Sequence, residues 1–274
     1  MLGLLRTIGD LGGVGALARK AVRNPRRARV ALWRYLRSDW TGLVLGGQGP
    51  WASARAELER TGLLPRLETR LRDAFTQLGG GSIRGHSMVA GGVKSGHAEV
   101  LWAVMRLRRP RVVVETGVCN GLSSAIILEA LALNGEGRLI SIDLPEFSDP
   151  GLNDATFWEG KGGAVVPAGR PVGWLAAEAH RLIWQLELGR AQDLLAPLLS
   201  AHGPVDVFIH DSEHSYDNQL FEFTEGYRSL RSGGLLIATD INWSDAFDDF
   251  WATIRASGAR CAFVDHACAL VIKP

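Results

Sequence analysis

The chain has 274 residues, of which 46% are hydrophobic and 22% are charged, and its formal net charge at pH 7 is +1. These proportions are those of a soluble globular protein, and no run approaches the ~18 apolar residues of a membrane span. Its cysteines, Cys119, Cys261 and Cys268, form no Cys-x-x-Cys pair. That spacing argues against a disulfide framework or a structural zinc site. We therefore expect a cytoplasmic protein with one large domain, or one domain with an N-terminal extension.

The first forty residues hold nine Lys or Arg residues against two Asp residues, so the rest of the chain is net acidic. Residues 14–22 and 25–36 are predicted to be helical, with Pro25 at a first helical position. We interpret them as a solvated basic helix pair that packs on the domain or on another subunit, and we predict a homo-oligomer formed through these helices. An arm that binds nucleic acid or a membrane surface is the alternative.

A second helical pair is predicted before residue 90. Residues 42–50 have the composition of a glycine-rich linker, residues 51–60 and 65–78 are predicted helices, and Gly79–Gly81 is predicted to be a hinge-like break. We therefore assign residues 1–90 to a helical extension, serving in oligomerisation or as a substrate cover. Residues 91–274 form the main domain.

The centre of the sequence is a strand, a glycine loop and a helix. Three consecutive valines, Val112–Val114, predict a strand buried on both faces, and residues 122–133 are predicted to form a helix. Between them, Gly117 and Gly121 allow a ligand to approach the backbone, and the helix start offers N–H groups to a carboxylate or phosphate. The spacing lacks the three-glycine cluster of a dinucleotide fingerprint. A glycine turn that binds nothing is the alternative.

The remaining chain alternates strands and helices. Helices are predicted at residues 95–107, 218–230 and 243–257, and residues 189–195 are predicted to open a helix that ends at Leu199. Strands are predicted at 138–143, 182–188, 205–210 and 235–239, with a closing hairpin at 260–264 and 268–272. This order predicts a Rossmann-like, doubly wound α/β fold with a mainly parallel seven-stranded sheet and an antiparallel C-terminal hairpin.

Residues 145–180 interrupt this alternation. The segment is rich in Gly and Pro, carries Trp158 and Trp174, and shows little periodicity before residue 175. Because a long loop in a compact domain is usually functional or disordered, we predict a lid over the substrate. A surface insertion without a binding role is the alternative.

Several short motifs follow one another along the chain: Glu115-x-Gly117-x-x-x-Gly121-x-Ser123, Asp143, Gly189-x-x-Gln192-Asp193, Asp211-x-x-His214, Gly233-Gly234 and Asp240. The set resembles class I S-adenosylmethionine-dependent methyltransferases. It is similar to the pattern of catechol-type O-methyltransferases and of bacterial natural-product sugar O-methyltransferases. The resemblance covers roughly residues 94–274 and leaves out residues 1–90. It implies methyl transfer to a hydroxyl of a small molecule, either a sugar or a phenol.

The resemblance also implies a set of cofactor-binding residues, all near the ends of the first three predicted strands: Glu115, Gly117, Gly121, Ser123, Asp143, Gln192 and Asp193. Ser123 would bond the carboxylate of S-adenosylmethionine, and Gln192 would meet the adenine edge. Asp143 ends the second strand, where a carboxylate can accept hydrogen bonds from two ribose hydroxyls. A simple helix-capping acid is the alternative for Asp143.

Asp211 and Asp240 are expected at the carboxyl ends of adjacent strands, next to the transferring methyl group. Two converging carboxylates suggest a hard divalent cation, most plausibly Mg²⁺, with Asn242 as a further ligand. The catechol-type pattern places its Asn directly after the Asp, whereas Asn242 lies two residues after Asp240, so a metal-free site stays open. His214 is the predicted base, although it could serve only to bond its loop. His210, on the strand's other face, is predicted to be structural.

Three other functions remain alternatives. Many nucleic-acid methyltransferases carry an Asn/Asp-Pro-Pro-Tyr/Phe motif after the fourth strand, where this chain has Asp211-Ser212-Glu213-His214. A nicotinamide oxidoreductase is disfavoured by the missing third glycine. The last alternative is a non-catalytic cofactor-binding module that serves in assembly.

Overall fold

The computed structural model describes residues 39–77, 95–153, 165–176 and 178–274. The predicted helices at 14–22 and 25–36, the break at residues 79–81, the boundary at residue 90 and Trp158 all lie outside the described residues. Self-association through the first forty residues therefore stays a prediction.

A seven-stranded sheet forms the centre of the fold. Its strands are β1 (Val112–Thr116), β2 (Arg138–Asp143), β5 (Trp184–Leu188), β6 (Val205–His210), β7 (Leu230–Ala238), β8 (Arg260–Phe263) and β9 (Ala269–Ile272). Their order across the sheet is β5-β2-β1-β6-β7-β9-β8. The first five are parallel neighbours, and β9 pairs antiparallel with both β7 and β8. The predicted doubly wound fold with an antiparallel hairpin is confirmed.

Helices cover both faces of this sheet. They are α1 (Trp40–Leu45), α2 (Gln48–Thr61), α3 (Leu63–Gln77), α4 (Ser95–Arg108), α5 (Leu122–Asn134), α6 (Ala191–His202), α7 (Tyr216–Ser229) and α8 (Ala246–Ile254). The α5 helix is buried along most of its length and shares an apolar cluster with Val113 of β1, whereas the equally buried Val114 packs in a second cluster. The valine run therefore forms the two-sided buried strand that its composition indicates.

Several boundaries differ from the prediction. The strand β7 begins at Leu230 instead of residue 235, so it includes the predicted turn at residues 232–234, and α8 spans Ala246–Ile254 instead of residues 243–257. Residues 42–50 are not a linker, because α1 occupies Trp40–Leu45 and α2 begins at Gln48. The carboxylate of Asp39 caps α1 by accepting a hydrogen bond of 2.8 Å from the N–H of Gly42, so the glycine lies in the first turn of a helix. The third strand begins at Trp184 instead of residue 182, because Glu178–Ile183 forms a 3-10 helix.

The helices α1 and α2 pack against α4, α3 packs against α2, and all three share the apolar core of α4. Leu58, Leu67 and Leu71 are buried in the same cluster as α4 and α5, which confirms that the apolar stripe of α3 faces the interior. Arg106 of α4 also forms an ion pair of 2.7 Å with Glu57 of α2. None of the helices among the described residues combines the length and apolar character needed to cross a bilayer.

The described parts of the predicted lid are ordered around a second, two-stranded parallel sheet. Its strands are β3 (Glu146–Phe147) and β4 (Val165–Val166). Val166 and Val172 pack with Val118 of the glycine loop in a small apolar cluster of their own. The segment thus lies directly against the predicted cofactor loop.

Candidate active site

The glycine loop after β1 is closely packed by neighbouring backbone. Gly117 has φ +87°, and a Cβ there would lie 2.1 Å from the carbonyl oxygen of Asp211. Gly121 has φ +82°, and its Cβ would lie 2.6 Å from Cα of Gly173. Both positions therefore require glycine for steric reasons, since a side chain would need a left-handed backbone and would overlap its neighbours.

Glu115 acts as an internal anchor beneath this loop. Its side chain is fully buried and accepts hydrogen bonds from the hydroxyls of Ser123, Ser124 and Ser141. Burial raises the pKa of Glu115 to about 7, while the serine hydroxyls act in the opposite direction. Ser123 thus joins the start of α5 to β1, and its predicted bond to a cofactor carboxylate stays a prediction.

Asp143 also supports the loop, from the end of β2. Its carboxylate accepts hydrogen bonds from the backbone N–H groups of Val118, at 3.0 Å, and Cys119, at 3.3 Å. Burial raises the pKa of Asp143 to about 6, and the two N–H donors oppose that increase. Asp143 therefore holds the glycine loop, and its contact with the ribose hydroxyls of a cofactor stays a prediction.

Gln192 and Asp193 lie in the first turn of α6, after the end of β5. The side-chain amide of Gln192 donates a 2.7 Å hydrogen bond to the amide oxygen of Asn218. Asn218 in turn donates to the carbonyl of Glu213, at 2.9 Å. The predicted adenine contact is therefore joined through one side chain to the loop that follows β6.

Gly173, within the predicted lid, bonds the glycine loop directly. Its backbone N–H donates to the carbonyl of Cys119 at 2.8 Å, and the N–H of Leu175 donates to the carbonyl of Asn120 at 3.0 Å. The indole N–H of Trp174 donates to the side-chain oxygen of Asn120 at 2.7 Å. These residues form a wall against the glycine loop.

The structure brings together three of the predicted chemical residues, Asp211, His214 and Asp240. One potential ligand atom from each lies within 4.8 Å of the others. Nε2 of His214 is 3.2 Å from Oδ2 of Asp240, and it has no hydrogen-bond partner among the described residues although it is buried. Burial lowers the pKa of His214 to about 4, so its imidazole is neutral at pH 7.

Asp211 and Asp240 repel each other within this cluster. Burial, and then the charge of Asp240, raise the pKa of Asp211 to about 6. The hydroxyl of Thr239 donates a 2.6 Å hydrogen bond to Asp211 and fixes its orientation. Asp240 itself has φ +50°, an uncommon conformation for a non-glycine residue and one that is enriched at functional sites. Asn242 is exposed in the turn that follows, and its role as a ligand stays a prediction.

A buried polar network lies behind the cluster. Nδ1 of His210 is 2.6 Å from the carboxylate of Glu222, which also accepts hydrogen bonds from Thr116 and Ser212. His210 is thus buried and engaged within the protein, in agreement with its predicted structural role. Glu222 was missed, because no sequence signal distinguishes a buried acid on an amphipathic helix from a solvated one.

Two more residues lie at the site: His97, which the sequence did not single out, and Trp243. His97 of α4 lies on the wall of the cavity that also contains Asp211 and Asp240, and its Nε2 is 2.9 Å from the carboxylate of Asp265. Trp243 is 66% exposed, and its ring centroid lies 5.3 Å from that of His214. An exposed indole beside a charged cluster is a typical ligand-binding feature.

Residues 114–241 match the family model described as a methyltransferase domain. This stretch of the chain is therefore similar to a methyltransferase domain. The match begins within β1 and ends just after Asp240, so the methyltransferase domain includes the glycine loop, Asp143 and the Asp211–His214–Asp240 cluster. No curated protein matches the chain by sequence.

Three of the solved structures that are similar to this chain are methyltransferases. TomG, an O-methyltransferase from Streptomyces achromogenes, is 18% identical with a TM-score of 0.48, over 76% of this chain and 89% of that chain. The O-methyltransferase from Bacillus cereus is 14% identical with a TM-score of 0.48, over 75% and 91%. A methyltransferase from Geobacter sulfurreducens is 16% identical with a TM-score of 0.43, over 65% and 77%. These values assign no residue roles.

Proposed function

We propose that the enzyme transfers the methyl group of S-adenosylmethionine to a hydroxyl oxygen of a small molecule, assisted by a divalent cation such as Mg²⁺. The observation that carries this proposal is the convergence of Asp211, His214 and Asp240 within 4.8 Å at the ends of β6 and β7. This cluster lies beside the glycine loop, because Gly117 packs directly on the backbone of Asp211. Cofactor and acceptor would therefore meet at one edge of the sheet.

The donor set fits a metal ion. Two carboxylates are oxygen ligands that Mg²⁺ accepts, whereas a neutral imidazole suits a first-row divalent metal better than it suits Mg²⁺. The buried Nε2 of His214 has no hydrogen-bond partner among the described residues, and a ligand bond would satisfy it. Such a cation would lower the pKa of the acceptor hydroxyl and stabilise its oxyanion. It would also relieve the repulsion between Asp211 and Asp240, the charge contribution that raises the pKa of Asp211.

The side chains of this site would then share the work of binding, orientation and proton transfer. Asp143 would hold the ribose, and the glycine loop would set the cofactor's position for an in-line reaction. His214, neutral at pH 7, would take the hydroxyl proton or complete the ligand set. Trp243 supplies an exposed flat surface, which suits either a phenol ring or the apolar face of a sugar.

The test is transfer of radiolabel from S-adenosylmethionine to small hydroxyl acceptors, with catechol and a methyl glycoside as probes. We expect transfer that needs Mg²⁺ and stops in EDTA, and that is lost in Asp211→Asn and Asp240→Asn. The matched control is Asp217→Asn, an exposed acid in the first turn of α7. It should retain the activity of the unmodified enzyme.

Three outcomes would change the proposal. Full activity in EDTA would remove the metal and leave His214 as the base, and loss of activity in His214→Ala by ~10²–10⁴ in kcat would then support that role. Labelling of RNA instead of small molecules would favour the nucleic-acid alternative. Binding of S-adenosylhomocysteine without transfer to any acceptor class would favour the assembly module.

A further inference from the structure

The helical segment that precedes the methyltransferase domain reaches the cofactor loop through one side chain. Arg70, on α3, donates two hydrogen bonds with different nitrogens of its guanidinium group. Nη1 bonds the carbonyl of Leu175 at 2.9 Å, and Nη2 bonds the carbonyl of Trp174 at 3.0 Å. These contacts span more than one hundred residues of sequence, so they hold two distant parts of the chain together.

The same guanidinium group lies against the indole ring of Trp174. Its central carbon is 5.7 Å from the ring centroid, and that of Arg170 is 5.0 Å from the same ring. Stacked cations stabilise an aromatic ring by cation–π attraction. Arg70 therefore fixes both the backbone and the side chain of Trp174.

The residues that Arg70 contacts belong to the short segment that bonds the glycine loop. Gly173 and Leu175 donate their N–H groups to the carbonyls of Cys119 and Asn120. The Trp174 indole bonds the side chain of Asn120. The opposite side of the loop is bonded by Asp143, through the N–H groups of Val118 and Cys119. The loop is thus held from two sides.

We propose that Arg70 is a positioning residue for S-adenosylmethionine, which acts through Trp174 and Leu175 to keep the glycine loop in its binding conformation. The proposal gives α3 a role in cofactor binding that its position outside the methyltransferase domain does not suggest. It rests on the cofactor site described above. Arg70 suits the role because a planar guanidinium can bond two carbonyls and stack on a ring at once, whereas a lysine ammonium cannot.

Calorimetric titration with S-adenosylhomocysteine tests the proposal on the full chain. Arg70→Ala should raise the dissociation constant of S-adenosylhomocysteine about tenfold. A change of this size is expected when roughly one charge-assisted hydrogen bond that orders the loop is lost. Arg70→Lys should lie between Arg70→Ala and the unmodified protein. Arg72→Ala is the matched control, since Arg72 lies on the same helix and bonds Glu68 only in an exposed ion pair. It should bind as the unmodified protein does.

Hydrogen exchange separates positioning from a general loss of stability. Arg70→Ala should accelerate exchange in peptides that cover residues 117–121 and 172–176, with no change in those that cover β6 and β7. Equal affinity of Arg70→Ala and Arg72→Ala would overturn the proposal, as would an exchange increase spread evenly over the sheet.

A second variant keeps the test decisive if Arg70→Ala does not fold. Trp174→Phe retains an aromatic ring and removes only the indole N–H that bonds Asn120. It should also weaken S-adenosylhomocysteine binding, and unchanged affinity would overturn the proposal. Failure of the unmodified chain to bind S-adenosylhomocysteine would instead contradict the cofactor site itself, so the two failures are distinguishable.

Discussion

The pH dependence of cofactor binding tests the assignment of Asp143. Its carboxyl group is buried at the end of β2, and burial raises its pKa to about 6. Ribose hydroxyls would donate to the ionised carboxylate, so binding favours the deprotonated form. Because its pKa is raised, Asp143 becomes protonated in the cofactor-free protein as the pH falls below 6. Cofactor binding below pH 6 must then release that proton. Affinity is therefore full above pH 6 and is lost progressively below it.

The size of the effect follows from that pKa. One pH unit below it, the dissociation constant of S-adenosylhomocysteine should be about tenfold higher than at pH 7.5, equivalent to ~1.4 kcal/mol. Calorimetric titrations at pH 7.5, 6 and 5 measure it directly. Asp143→Ala should weaken binding at pH 7.5 by ~1.5–3 kcal/mol, the range for hydrogen bonds to a charged group, and should remove the pH dependence.

A matched control comes from the neighbouring strand end. The pKa of Asp211 is also raised to about 6, so Asp211→Asn should keep the pH dependence if Asp143 is its source. A flat profile in the unmodified protein would refute the reasoning. So would a profile that survives in Asp143→Ala and disappears in Asp211→Asn.

Further predictions concern stability and the acceptor. Asp211→Asn should raise the free energy of unfolding of the metal-free protein by about 1–2 kcal/mol at pH 8, measured by urea unfolding, because ionising a carboxyl with a raised pKa disfavours the native state. This stabilisation should shrink as the pH falls through 6. Equal stability of the variant and the unmodified protein at pH 8 would contradict the prediction. Gly121→Ala should lower the free energy of unfolding by several kcal/mol, of which about 1–3 kcal/mol comes from the left-handed backbone and more comes from overlap with Gly173. A melting temperature equal to that of the unmodified protein would show that this packing is wrong. Trp243→Ala should raise the KM for the acceptor several-fold at constant melting temperature, and an unchanged KM would remove Trp243 from the acceptor site.

Much of the fold could be predicted from the sequence because its strands are marked locally. The run Val112–Val114 is apolar on both faces, Asp143 ends one predicted strand, and Asp240 directly follows another. The C-terminal hairpin was also recognisable, from two short apolar runs separated by a turn. In a parallel sheet, carboxyl ends meet at one edge, so residues far apart in sequence were correctly expected together. Asp211, His214 and Asp240 are the clearest example.

The features that sequence reasoning missed depend on long-range packing. Gly173 and Trp174 lie in a segment without periodicity, and only the folded chain shows that they bond the glycine loop. Arg70 looks like any exposed arginine of an amphipathic helix until its two carbonyl partners are known. The helix at Trp40–Leu45 was missed because two of its neighbouring positions are glycines, although Asp39 supplied a recognisable cap.

The central claim is that this chain binds S-adenosylmethionine at the glycine loop, and a calorimetric comparison of two ligands tests it most directly. S-adenosylhomocysteine and NAD are titrated into the full chain, each with Mg²⁺ and with EDTA. The account predicts that S-adenosylhomocysteine binds one site per chain in both conditions and that NAD does not bind. Binding of NAD in place of S-adenosylhomocysteine, or of neither ligand, would contradict it.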